Sequence, residues 1–177
     1  LKLIFSQIAY AITMQKKGGH FILKVFDLFL KSSIDLIFIL SCCYKHVFII
    51  KPHTSRLANS EKYIICKHFI LGDSSELSTK FTSILKVIEN LNDVHIASFL
   101  NVDIPHYFMT QLMEINSILG QAQIENINLT ISYICNEKKR DNIKHLKNKS
   151  IQRCIRWCKN NYIPFNSDNG MENLFLQ

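Results

Sequence analysis

Two residues raise a chemical question. Lys24 lies inside the apolar run of "GGHFILKVFD" (18–27), and Glu61 opens "EKYIICKHF" (61–69). A lysine in a buried strand rarely keeps its charge without a partner. A carboxylate beside it would stabilise and orient the ammonium. To accept a proton, such a lysine must come down from a pKa of about 10.4 towards neutrality, through burial or a second cation. Glu61 alone pushes the other way. A base role therefore needs another cation, or a deprotonation coupled to the reaction. The plain alternative is a Lys–Glu pair across adjacent strands with no chemistry.

The elements that would bring the two together can be read from the spacing. Residues 2–16 place Leu3, Ile4, Ile8, Ala11 and Ile12 at helical intervals, and "KKGG" (16–19) supplies a basic last turn and a glycine stop. A strand follows at 20–26, a mostly buried helix at 28–43, and a second strand at 46–51. A polar loop (52–60) leads to a third strand at 61–69. A helix between the first two strands implies parallel pairing through a crossover. The loop is too short for a second crossover, so the last two strands are expected antiparallel. Ligands in open α/β sheets bind beyond the carboxyl ends of the strands. Lys24 lies towards that end, and an antiparallel return delivers Glu61 to the same edge. The two could touch if the third strand lies beside the first.

Near "GDSS" (72–75) the character changes, dividing the chain into residues 1–72 and a mainly helical region, 73–177. A Ser/Glu capping pattern starts a helix at 74–92, with Phe81, Ile84, Leu85 and Ile88 on one face. Residues 105–121 also read as helix. "LTISYIC" (129–135) is ambiguous between strand and helix. Residues 141–160 form a basic amphipathic pattern with Ile143, Leu146, Ile151, Cys154, Ile155 and Cys158 as its apolar stripe.

The formal net charge of +7 favours an anionic partner, nucleic acid or a membrane surface. Nine Lys and Arg between 137 and 159 could follow an RNA backbone, but a solvated helix face is the favoured reading. Trp157 is read as packing beside Cys154 and Cys158 rather than as a base platform. The six cysteines contain no CxxC pair and are expected as reduced thiols in a reducing compartment such as the cytoplasm. Cys154, Cys158 and His145 make a weak metal set, so no metal is expected. The longest apolar run, "IDLIFILSCC" (34–43), is too short to cross a membrane. In the loop, Arg56 suits a phosphate contact or a structural pin. Ser55 is a substrate contact or a loop cap, and His53 a surface residue.

Two stretches together resemble a known family. "GGHFILKVFD" and "KPHTSRLANSEKYIICKHF" (51–69) are similar to the FtsJ-like RNA ribose 2′-O-methyltransferases. The match runs through Gly18, Gly19, Lys24, Phe26, Lys51, Pro52, Ser55, Arg56, Ser60, Glu61, Tyr63 and Cys66. The resemblance covers residues 1–70. The helix at 150–166 is more loosely similar to the cap-methylating branch, including its large DNA virus members. The family implies a Rossmann-like fold, with residues 1–72 as the C-terminal part of its mixed sheet and the last strand antiparallel. It also implies a Lys–Asp–Lys–Glu tetrad in which Lys24 matches the second lysine and Glu61 the glutamate. That lysine activates a ribose 2′-hydroxyl towards the methyl of S-adenosylmethionine. Arg56 and Ser55 are then RNA contacts, and RNA, capped mRNA in particular, is the expected partner.

The family's glycine-rich cofactor loop, first lysine and aspartate would lie upstream of Leu1. The chain is therefore expected to enter partway through a domain and, alone, not to turn over. The alternative expectation is a non-catalytic RNA-binding or regulatory remnant of such a domain. A purely structural interaction domain is a third.

Overall fold

The computed structural model describes residues 1–91, 95–135 and 141–165. Its elements, in chain order, are α1 (Lys2–Met14), β1 (Phe21–Val25), α2 (Lys31–Cys43), β2 (Tyr44–Ile50), β3 (Lys62–Phe69), α3 (Ser75–Asn90), α4 (His106–Cys135) and α5 (Asp141–Asn160). The chain divides into two compact units, Leu1–Ile124 and Glu125–Gln177. The helical region thus lends α3 and the first turns of α4 to the unit that holds the sheet.

The three strands pair in the order β1–β3–β2, and both pairings are antiparallel. The expected direct parallel pairing of the first two strands is not found. They do run in the same direction, but β3 returns from the 52–60 loop and fills the space between them. The carboxyl end of β1 and the start of β3 therefore meet at one edge.

Alternation along the strands fixes which side chains face the core. Leu23 and Val25 of β1 and Ile64 and Cys66 of β3 are fully buried. They join Phe5, Ile8 and Ile12 of α1 and Leu36, Ile37 and Leu40 of α2. The ring of Phe5 stacks on Phe81 and Phe99, with centroids 4.9 and 4.8 Å away. The opposite face of the sheet leaves Ile22, Lys24, Phe48 and Ile50 exposed. Lys24 is thus not in a strand buried on both sides, as the run 18–27 suggests. It sits on the open face of a half-covered one.

The glycine pair sets the approach to β1. Gly18 has φ +85°, a left-handed conformation that side chains disfavour. Its N–H donates to the Phe69 carbonyl at 2.8 Å, while the Gly19 carbonyl accepts from Phe69 N–H at 2.9 Å. A Cβ on Gly19 would fall 2.9 Å from the Lys16 carbonyl oxygen.

The ambiguous segment 129–135 is helical, continuing α4 to Cys135. Helix propagation adds a hydrogen bond per residue once nucleated, which here outweighs the β-branched composition. In the second unit the expected stripe of α5 is only partly covered. Leu146, Ile151, Ile155 and Cys158 are half-buried, while Ile143 and Cys154 are exposed. Glu137, Lys138, Lys139 and Arg140 of the basic stretch lie outside the described residues. No helix among the described residues is long and apolar enough to cross a membrane.

Candidate active site

Antiparallel register places Lys24 opposite Tyr63 on β1 and β3. Glu61 lies two residues before Tyr63, so its side chain leaves the strand on the same face. The Lys24 ammonium reaches Glu61 Oε1 at 2.9 Å; the lysine side chain is 51% exposed and the glutamate 18%. Both Glu61 oxygens are further engaged. The Tyr63 hydroxyl donates to Oε1 at 2.7 Å, and the Ser55 hydroxyl to Oε2 at 3.0 Å. The Lys24 ammonium also lies 5.5 Å from the Phe26 ring centroid, a cation–π contact.

The loop holds this carboxylate through its own hydrogen bonds. Glu61 N–H donates to Asn59 Oδ1 at 2.7 Å, closing an Asx-type turn. The half-buried Lys51 ammonium donates to the Glu61 carbonyl at 3.0 Å and to the Asn59 carbonyl. Lys62, 4% exposed, caps the end of β1 by donating to the Phe26 carbonyl at 3.0 Å. Two ammonium groups thus tie the turn and the strand end that flank Lys24 and Glu61.

The electrostatics follow from these contacts. Hydrogen bonds from Tyr63, Lys24 and Ser55 pull Glu61 down to about 2. The hydrogen bond to Glu61 raises Lys24 above the usual lysine range, against a small opposing effect of burial. Burial lowers Lys51 and Lys62. Lys24 in this arrangement is a fixed, half-open ammonium. It can hold a polar oxygen, and it becomes a proton acceptor only when a further cation offsets Glu61.

Of the residues singled out from sequence, Lys24, Glu61 and Ser55 meet directly. Arg56 stands apart from them, lining a cleft of about 520 Å³ with Phe26, Ala58, Asn59, Ser60 and Gln123. His53 is exposed in the loop. The roles of Tyr63, Asn59 and Lys51 as supports of Glu61 are legible only in part from sequence. The spacing Glu61-x-Tyr63 puts two side chains on one strand face, but nothing in it says that the phenol turns towards the carboxylate.

S-adenosylmethionine requires an adenine slot, acceptors for a ribose diol and a clamp for its amino-acid end. Around Lys24 the charged groups face each other or backbone carbonyls, and the sheet face is open. This donor set does not fit that cofactor; it fits a hydroxyl-bearing acceptor. Among the described residues no group of three or more His, Cys, Asp or Glu is placed to hold a metal ion.

Comparison with known proteins falls on the same stretch. Residues 1–69 match the family described as FtsJ-like methyltransferase. The chain is 46% identical over 71 residues to the cap-specific mRNA (nucleoside-2′-O-)-methyltransferase 1 of Bos taurus, covering 40% of this chain and 8% of that protein. The Homo sapiens protein of that name is 45% identical over 71 residues, with the same coverage of 40% and 8%. The 1A protein of Caenorhabditis briggsae is 30% identical over 129 residues, 69% of this chain and 15% of that protein. The chain spans a small fraction of the length of the curated relatives it matches.

Proposed function

We propose that residues 1–72, whose first 69 match FtsJ-like methyltransferases, form the acceptor side of an S-adenosylmethionine-dependent RNA ribose 2′-O-methyltransferase acting on capped mRNA. The observation that carries this reading is the Lys24–Glu61 pair, 2.9 Å apart, lying inside the matched residues. On this reading the segment is the C-terminal part of a Rossmann-like domain, and residues 73–177 are a mainly helical extension.

Lys24 Nζ holds the ribose 2′-oxygen. As the oxygen gains its new bond to carbon, its O–H bond breaks and the proton passes to Lys24, whose own proton has first gone to solvent beside a further cation, the role of the family's first lysine. Glu61 fixes the direction of Nζ. Ser55 and Tyr63 keep Glu61 from turning away, and Arg56 meets a phosphate of the RNA. S-adenosylmethionine would supply the methyl group, its sulfur keeping the electron pair of the carbon–sulfur bond.

The test is methyl transfer to capped RNA by the complete polypeptide carrying these residues. Lys24→Ala is expected to abolish transfer while the circular dichroism and thermal midpoint stay close to wild type, since the side chain is half exposed. Retained transfer overturns the assignment. One observation favours a second reading, a non-catalytic RNA-binding remnant. The groups acting on Lys24 are Glu61, its own partial burial and Tyr63, with a net effect that keeps it charged. On that reading RNA binds but Lys24→Ala changes nothing chemical.

A further inference from the structure

We propose that the trough between residues 26–29 and α4 is a track for unpaired RNA bases flanking the reactive nucleotide. This rests on the RNA-acceptor reading above and extends it to residues that reading leaves unassigned. Two clefts lie along these elements, each with its own lining residues. One, of about 520 Å³, has Phe26 and Arg56 facing Gln123 of α4. The other, of about 580 Å³, is apolar and lies between Leu28 and Phe29 on one side and Met109, Met113 and Asn116 of α4 on the other.

Three observations identify the occupant. Phe26 lies two residues after Lys24 and is 49% exposed, with its ring centroid 5.5 Å from the Lys24 ammonium. It is a stacking surface next to a cation, which is how single-stranded nucleic acid is held without a paired partner. Arg56 in the same cleft supplies the phosphate contact that an apolar peptide would not need. In the second cleft Asn116 donates through Nδ2 to the Leu28 carbonyl at 3.0 Å, while its Oδ1 is buried with no partner. A buried acceptor without a donor is costly. Side chains of the cleft cover this oxygen in the structure; on their displacement by an entering base, the base's amino group, as in adenine, cytosine or guanine, satisfies it, with the thioethers of Met109 and Met113 and the ring of Phe29 against the base faces.

The experiment measures binding of a fluorescein-labelled, unpaired oligoadenylate by anisotropy at several salt concentrations. Phe26→Ala is expected to weaken binding about tenfold with an unchanged salt dependence, and Phe26→Trp to restore it. Asn116→Leu is expected to weaken binding to a similar degree, more for oligoadenylate than for a strand of N6,N6-dimethyladenosine, which lacks the amino donor. Thermal midpoints of the variants separate a lost contact from a lost fold; if Asn116→Leu does not fold, Asn116→Ala, which also lacks the acceptor, takes its place. Binding by Phe26→Ala and by the Asn116 variant within twofold of wild type overturns the track. Lys24→Ala in the transfer assay keeps the two readings apart. Loss of transfer with intact binding in the track variants removes the track alone. Weakened binding in the track variants with transfer insensitive to Lys24 removes the methyltransferase reading and leaves an RNA track.

Discussion

At the residue scale the carboxylate of Glu61 is the hub. Three donors converge on it, and together they bring it from 4.5 down to about 2. Its folded pKa lies below its unfolded one, so the unfolded chain takes up the proton first as pH falls. The stability this carboxylate confers is fully present above about pH 4.5 and is lost as the pH drops through about 2. Glu61→Gln is therefore expected to flatten the acid limb of the unfolding curve in that window, measured by denaturant titration at a series of pH values. Ser55→Ala removes one of the three donors and should raise the Glu61 pKa, which a carbon-detected NMR titration of its side chain reads directly. An unmoved pKa in Ser55→Ala would show that the hydroxyl does not face the carboxylate in solution.

At the element scale, the placement of α2 depends on a buried charge. Asp35, with no exposure, accepts from Lys31 at 2.5 Å, from the Ser98 hydroxyl at 2.6 Å and from the N–H groups of Phe99 and Leu100 at 2.8 and 3.2 Å. Burial acts to raise its pKa, and these donors outweigh it and lower it. The carboxylate thereby pins the segment after α3 onto α2, where Phe99 stacks on Phe5. Asp35→Ala leaves two backbone donors unpaired in the interior and should cost about 3 kcal/mol, read from the shift in the urea midpoint. Lys31→Ala, half exposed, should cost well under half as much. Equal costs would mean that the ion pair, rather than the backbone donors, holds the segment.

At the scale of the whole chain the net charge of +7 invites an electrostatic reading of RNA binding. Lys144, Lys147, Lys149, Arg153, Arg156 and Lys159 are all exposed on α5. Each phosphate contact contributes roughly 0.7 to the salt slope for a single strand. Read as a solvated face, α5 predicts that replacing Lys144 and Lys147 together by Gln leaves the salt slope of RNA binding unchanged. Arg56→Gln, by contrast, should lower it by about 0.7. A fall of more than one in the Lys144/Lys147 variant would assign α5 to the RNA backbone instead. The positions of α1, α2, β3, α3 and α5 were legible from the periodicity of their apolar residues, because burial of one face imposes that period locally. The lysine, the glutamate and their meeting at one sheet edge were legible for the same kind of reason: the short loop 52–60 forces an antiparallel return, which carries Glu61 back towards the end of β1. Sequence could not say that β3 enters between β1 and β2. Strand order is chosen by which faces bury together, and Leu23, Ile64 and Cys66 close one core only when their strands are neighbours. Nor could it say that Lys24 stands on an uncovered face, that Tyr63 and Ser55 both turn to Glu61, or that Asn116 is left with an unmatched acceptor. Those depend on residues far apart in the chain arriving at the same few ångströms, which the tertiary structure alone decides.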